Sequence, residues 1–129
     1  MIRAHANAVL ALAQAGAVTV YDTAAPALPA YPYAVLRFDS GRRVRSALTA
    51  VSDTLTETVT CTSVGLDRVQ SQWVAEKVTA LLLDVRPVVA GRTCAPLEHL
   101  DTQPSRRDDD VAPPLFYAVD LFRFISVPA

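Results

Sequence analysis

Ile2, His5, Val9, Leu12 and Ala13 follow helical spacing, so residues 2–15 are expected to form an alanine-rich amphipathic helix closed by Gly16. Ala17 to Tyr21 (AVTVY) predicts a short strand. Residues 22–32 hold three prolines and no period, which predicts a loop. Tyr33 to Phe38 (YAVLRF) predicts the next strand, followed by the turn signal Asp39-Ser40-Gly41. Residues 42–54 fit a strand extension, a hairpin tip or an irregular arm. Residues 55–64 give the clearest strand: Thr56, Thr58, Thr60 and Thr62 take one face by period two, while Leu55, Val59 and Cys61 take the other.

Beyond Gly65, Asp67 is placed to N-cap a second helix running to about Leu83. Its apolar arc is Val69, Trp73, Val74, Val78, Leu81 and Leu82, with Trp73 the expected anchor and Arg68, Gln72, Glu76 and Thr79 opposite. Residues 87–101 suggest one or two short strands broken by Gly91 and Pro96, and residues 102–114 a polar loop. Leu115 to Val127 predicts a long last strand. Leu115, Tyr117, Val119, Leu121 and Ile125 share one face, and Phe116, Ala118, Phe122 and Phe124 the other. With both faces apolar, this strand is either central or covers a subunit interface. The order predicts a single α+β domain over residues 1–129, two helices packed on a mostly antiparallel sheet of four to five strands, with long loops.

Composition narrows the function classes. The chain has 129 residues, 51% hydrophobic and 19% charged, which excludes disorder and permits a buried core. A net charge of −1 argues against nucleic-acid binding by bulk electrostatics. No apolar run approaches the roughly 18 residues of a membrane span. Two cysteines, Cys61 and Cys94, are too few for a disulfide scaffold. A secretory signal ending at Ala15-Gly16-Ala17 would have a core of only Ala8 to Ala13, and helical spacing accounts better for the same residues. The chain is expected to stay in the cytoplasm during synthesis, with both thiols reduced.

The chemistry-bearing residues form no specific constellation. Phosphate-cradling glycine motifs, H-E-x-x-H and C-x-x-C are all missing from the sequence. Cys61, Cys94 and His99, with Glu98 or Asp101, are the candidates for a nucleophile pair or metal site, against the plainer reading of cysteines as small buried hydrophobes. His5 is expected at or near the helix surface. Asp108, Asp109 and Asp110 could attract a divalent cation but lack the ligand spacing of a calcium loop; a solvated acidic run or a contact surface is the alternative. Arg42, Arg43 and Arg45 form one basic cluster and Arg106 and Arg107 another, without the interleaved aromatics of a single-strand binder.

Four segments stand together: Val20-Tyr21-Asp22 before a proline-rich connection; Tyr31-Pro32-Tyr33-Ala34-Val35-Leu36; the passage from Thr58–Gly65 into a helix with Ala75, Val78, Leu81 and Leu82; and the closing strand Pro114–Phe124. In these the chain resembles the tail terminator (tail completion) proteins of long-tailed bacteriophages, the lambda-terminator class and its actinobacteriophage type in particular. The resemblance implies a structural virion protein, without catalytic residues, metal or cofactor. It would form a hexameric ring that caps the tail tube, ends tube polymerisation and meets the head-tail connector or stopper protein. The homo-oligomer would touch the major tail tube protein, let DNA pass through its lumen without specific binding, and have no membrane role. Its place would be the tail-head junction of the virion. Candidate interface or lumen residues are Arg42, Arg43, Arg45, Arg106, Arg107, Asp108, Asp109 and Asp110. Phe116, Phe122 and Phe124 of the last strand, with Leu97 and Leu100, are candidates for the subunit interface. The alternatives are another neck component, or a small α+β enzyme or ligand-binding domain.

Overall fold

The computed structural model describes residues 2–27, 29–39, 41–45, 48, 52–110 and 114–129. Its elements are α1 (Ile2–Gln14), β1 (Thr19–Asp22), β2 (Tyr33–Phe38), β3 (Arg42–Arg45), β4 (Ser52–Gly65), α2 (Arg68–Leu82), β5 (Arg92–Cys94), β6 (Glu98–Thr102), β7 (Arg106–Asp108) and β8 (Leu115–Pro128). The ambiguous segment 42–54 resolves into β3 and the first residues of β4, with residues 46, 47 and 49–51 outside the described set.

Two 14-residue strands, β4 and β8, pair antiparallel from Leu55↔Ser126 to Gly65↔Phe116 and form the spine of the sheet. β2 and β3 share the outer side of β4, one after the other, and β1 adds to β2 in parallel. On the far side of β8 lie β5, β6 and β7 in succession. The sheet therefore has eight strands where four to five were expected, arranged in five ranks. The surplus comes from the outer ranks, which are broken into short pieces. The Asp39–Gly41 turn separates β2 from β3, with Gly41 at φ 76° and its N–H donating to Asp39 Oδ1 at 2.9 Å. Pro96 and Pro104 fall between the pieces along β8, where a residue without an N–H interrupts the ladder.

Both helices cover one face. Val9 and Ala13 of α1 and Val74, Val78 and Leu82 of α2 pack on Ala34, Leu36, Val59, Cys61, Phe122 and Phe124. The strand parities read from the sequence hold: Leu55, Val59 and Cys61 are buried under the helices, and the threonines of β4 lie on the opposite, half-covered face. Gly65 makes the strand-to-helix passage possible, because a Cβ there would meet Ser71 N at 2.7 Å and Gln70 Cβ at 2.6 Å. Asp67 caps α2 by accepting from Gln70 N–H at 2.8 Å.

Three burial expectations need correction, the first being Val69, which is 64% exposed and stands outside the buried arc of α2. Trp73 is not the anchor of α2. Close approach at Gly65 seats the helix on Ser71, Val74, Val78 and Leu82, and turns Trp73 outward at 41% exposure beneath the Lys77 ammonium. His5 is fully buried, edge-on to Phe124, with its Nε2 against Ser126 Oγ.

Candidate functional site

The residues that would serve an enzyme do not assemble into one. Cys61 lies in the core beside the cross-strand Asp120, and burial first, with that carboxylate adding to it, pushes its thiol up to about 12. Cys94 is buried on β5, and desolvation raises its thiol too. The His99 ring stacks on Phe122, and its Nε2 is engaged by Asp120 Oδ1 at 3.0 Å. A protonated, desolvated thiol is a poor nucleophile and a poor metal ligand. Among the described residues no group of three His, Cys, Asp or Glu side chains is placed to hold a metal. The Asp108–Asp110 run is taken up locally: Asp108 accepts from Asp110 N–H at 3.0 Å, and Asp109 pairs with Arg107 at 2.5 Å.

What remains is surface, and it divides by strand parity. The face opposite the helices carries Thr56, Thr58, Thr60 and Thr62 of β4 beside Tyr117, Val119, Leu121, Arg123 and Ile125 of β8, all half-buried. At one end a small cluster of Tyr33, Val35 and Val64 covers part of it, with Tyr21, Ala25, Leu115 and Tyr117 packed around. No element of the described chain covers the rest. Two shallow depressions open there. One of about 330 Å³ is lined by Tyr33, Arg37, Thr62 and Asp108. The other, of about 470 Å³, is lined by Asp39, Arg42, Thr58, Leu100 and Arg123. On the helix side a groove of about 530 Å³ runs between α2 and the β6–β7 edge, lined by Gln72, Glu76, Thr79, Gln103 and Ser105, with Ser71 and Ser105 hydroxyls 2.7 Å apart at one end. Its lining holds hydroxyls and carboxylates, with no Cys, His or Lys beside them.

The two basic clusters are kept apart. Arg42, Arg43 and Arg45 are exposed on β3, where Arg42 lies opposite Thr56. Arg106 and Arg107 are exposed on β7, where Arg106 lies opposite Tyr117 and, through it, Val64. Thr56 and Val64 are eight residues apart on β4, about 27 Å along the strand. The clusters also occupy opposite edges of the sheet. Arg106, Arg107 and Asp108 belong to β7, not to a loop: their partners Phe116 and Leu115 extend the ladder.

The candidate interface strand splits. Phe122 and Phe124 are fully buried under the helices, and Leu97 likewise, so these side chains are spent inside the subunit; the even parity of β8 that carries the phenylalanines is the helix-covered one. Phe116 is half-buried beside Gly65, and Leu100 is 45% exposed in the bulge of β6. Glu57 escaped notice in the sequence, although parity exposes it: it stands in the row Leu55, Glu57, Val59, Cys61 and is fully buried. Desolvation, with Asp39 adding to it, pushes its carboxyl up to about 7.

Comparison with known proteins completes the picture. The family model described as tail completion protein gp17 matches residues 2–119. No curated protein sequence matches the chain. Among solved structures, a chain of the virion of a native gene transfer agent particle matches with a TM-score of 0.68 at 18% identity, over 95% of this chain and 93% of that one. At that identity the likeness shows a shared fold.

Proposed function

Because the chain belongs to the tail completion protein gp17 family, structural proteins of phage tails and not enzymes, we propose that its copies close into a hexameric ring on the end of the tail tube. The ring ends tube polymerisation and joins the tail to the head connector, at the tail-head junction of the virion. The observation that carries this reading is the family match along nearly the whole chain. The shared fold with a chain of a virion particle supports it. The major tail tube protein on one side and the connector or stopper protein on the other are the expected neighbours. DNA passes through the lumen without specific binding. A near-neutral chain suits that passage, since each phosphate neutralised would add affinity and slow transit. The arm 39–54 or the segment 102–114 faces the lumen or a neighbouring ring.

The test is native mass over a concentration series, with negative-stain images of each fraction and then of the protein mixed with purified tail tubes. A closed ring of about six subunits that caps tubes and halts their growth is the expected result. A chain that stays monomeric alone and also fails to bind tube ends refutes the reading. A ring that binds connectors and ignores tubes moves the chain to another place in the neck.

A further inference from the structure

The proposed ring needs a subunit contact, and among the strand edges left unpaired by the described residues (β1, β3, β5, β6 and β7) β3 and β6 carry opposite charges. β3 pairs with β4 on one side, and no described strand pairs with its other side. β6 pairs with β8 on one side, and its outer side is likewise unpaired among the described residues. An exposed edge is a row of unmet N–H and C=O groups, which proteins cover or use. Along β3 the residues are Arg42, Arg43, Val44 and Arg45, and none of these arginines has a carboxylate partner among the described residues. Along β6 they are Glu98, His99, Leu100, Asp101 and Thr102, every one exposed.

Parity puts the complementary charges on one face. Arg42 lies opposite Thr56, so its side chain shares the open face. Glu98 lies opposite Arg123 and Asp101 opposite Leu121, so both share that same face. Strand direction also agrees. β3 runs against β4, β4 against β8 and β8 against β6. A rotation that keeps strand direction therefore sets β3 of a second copy antiparallel to β6 of the first.

Register gives a quantitative check. Arg42 is level with Ile125 through Thr56, and Asp101 is level with Leu121, four residues away. From β3 of one copy across β4, β8 and β6 to β3 of the next is four strand spacings, about 19 Å at ~4.8 Å each. Strands in closed barrels tilt by roughly 35–45°, which over that width shifts the register by about 13–19 Å, or about four to six residues. The shift needed and the shift that closure supplies agree. Without a shift, β3 would meet β5 and Arg92, a like charge whose guanidinium is already committed to Ser126 and to the Asp53 carbonyl.

We propose that β3 of one copy adds to the outer edge of β6 of the next, antiparallel, with Arg42 facing Asp101 across the joint, Glu98 being already paired with Arg123 of its own copy. This inference rests on the ring reading and names its contact. Opposite charges directly across a strand pair favour one register, and the contact is heterologous, as a closed ring requires.

The test compares wild type, Arg42→Glu, Asp101→Arg and the double variant by native mass over a concentration series, alone and with tail tubes. Each single reversal is expected to raise the concentration for half-assembly at least tenfold, and the double variant to regain most of the loss. Folding is checked separately by circular dichroism. A second measurement uses Arg42→Cys with Asp101→Cys. Within one copy these sites are three strand spacings apart, about 14 Å, too far for a disulfide. Oxidation is therefore expected to give an intermolecular ladder ending at the closed ring. If wild type forms rings while both reversals assemble normally and the cysteines do not cross-link, the edge pairing is wrong and the ring survives. A wild type that never assembles, even on tubes, overturns both.

Discussion

Replacing Glu57 by leucine probes the core where it is least favourable. The side chain is fully buried on the helix-covered face, between Leu55 and Val59 and opposite Phe124. Neither carboxylate oxygen finds a hydrogen-bond partner among the described residues. The site coincides with the break between β2 and β3, and the Asp39 charge adds to burial in raising the carboxyl from 4.5 to about 7. A folded-state acid with a raised pKa keeps its proton where the unfolded chain has lost it. Stability therefore falls as pH rises from about 4.5 to about 7. At 1.36 kcal/mol per unit, the full penalty above that window is about 3 kcal/mol. Leucine fills similar volume without charge, so Glu57→Leu should gain about 3 kcal/mol more at pH 8 than at pH 4. His5 titrates in the opposite sense, since burial and then Arg92 lower it from 6.5 to about 4, and its contribution is lost as pH falls through that range. It is present in both proteins and cancels in the difference. The assay is urea unfolding by circular dichroism at pH 4, 6 and 8, at one low protein concentration so that assembly does not contribute. With a slope of roughly 1–3 kcal/mol per molar urea, the midpoint should rise by about 1–3 M at pH 8. A gain that does not change with pH, or a loss at pH 8, refutes the reasoning.

Other predictions follow from single contacts. Gly65→Ala should cost about 2 kcal/mol or more, because the added methyl meets the Ser71 backbone nitrogen and α2 must lift off the sheet; thermal melts would show it, and an unchanged melt would contradict the tight passage. Asp67→Ala should cost about 1 kcal/mol through the lost cap, recovered in large part by Asp67→Ser. Phe122→Ala should destabilise the isolated subunit by about 3–5 kcal/mol, whereas an interface residue would disperse the ring and leave the subunit melt alone. Both thiols should resist iodoacetamide at pH 8 until the chain unfolds; fast labelling of Cys61 in the native protein would contradict its raised pKa.

Strand content was legible wherever period two ran long. The alternation of threonine with Leu55, Val59 and Cys61 in β4, and the split of β8 into two faces, are carried by the residues themselves. The N-cap at Asp67 and the turn at Asp39–Gly41 were legible because their chemistry is local. Among the short pieces, β5 and β6 match the one or two strands expected in 87–101, β3 was one of three alternatives, and β7 was read as loop, since strands of three to five mostly exposed residues are held by a long neighbour and carry little pattern of their own. Trp73 misled for a related reason. Which arc of α2 faces inward depends on how closely it approaches β4 at Gly65, and that is a tertiary distance. His5 was misjudged because its polarity suggested surface, while Ser126, 121 residues away, supplies the partner that lets it be buried.

The candidate site shows the same division with a functional consequence. Phe122 and Phe124 looked like interface because β8 is apolar on both faces, yet a central strand needs two apolar faces only if both are covered within the subunit. Here the helices cover one face, and the other, with Val119, Leu121 and Ile125 among threonines, stays half-open. Among the described residues, a sheet this wide, with one face only partly covered and both edges unpaired, leaves its polar backbone rows and part of its apolar surface unspent. Edge pairing between copies would satisfy the backbone rows, and rotation would curve the uncovered faces of all copies toward a common axis or away from it. The threonine row decides which is tolerable for passing DNA: hydroxyls beside short apolar side chains offer few fixed charges to phosphate. The arginines on that face are Arg37 on β2, Arg42 on β3, Arg106 on β7 and Arg123 on the central β8, with Arg42 set toward Asp101 of a neighbour and Arg123 already paired with Glu98. Neutralising those pairs should therefore make the lumen grip DNA. Asp101→Asn, which keeps the edge and removes its charge, is expected to leave rings intact and to make them retain DNA at low salt, released as salt rises. Rings that assemble and retain no more DNA than wild type would place the uncovered face on the outer wall.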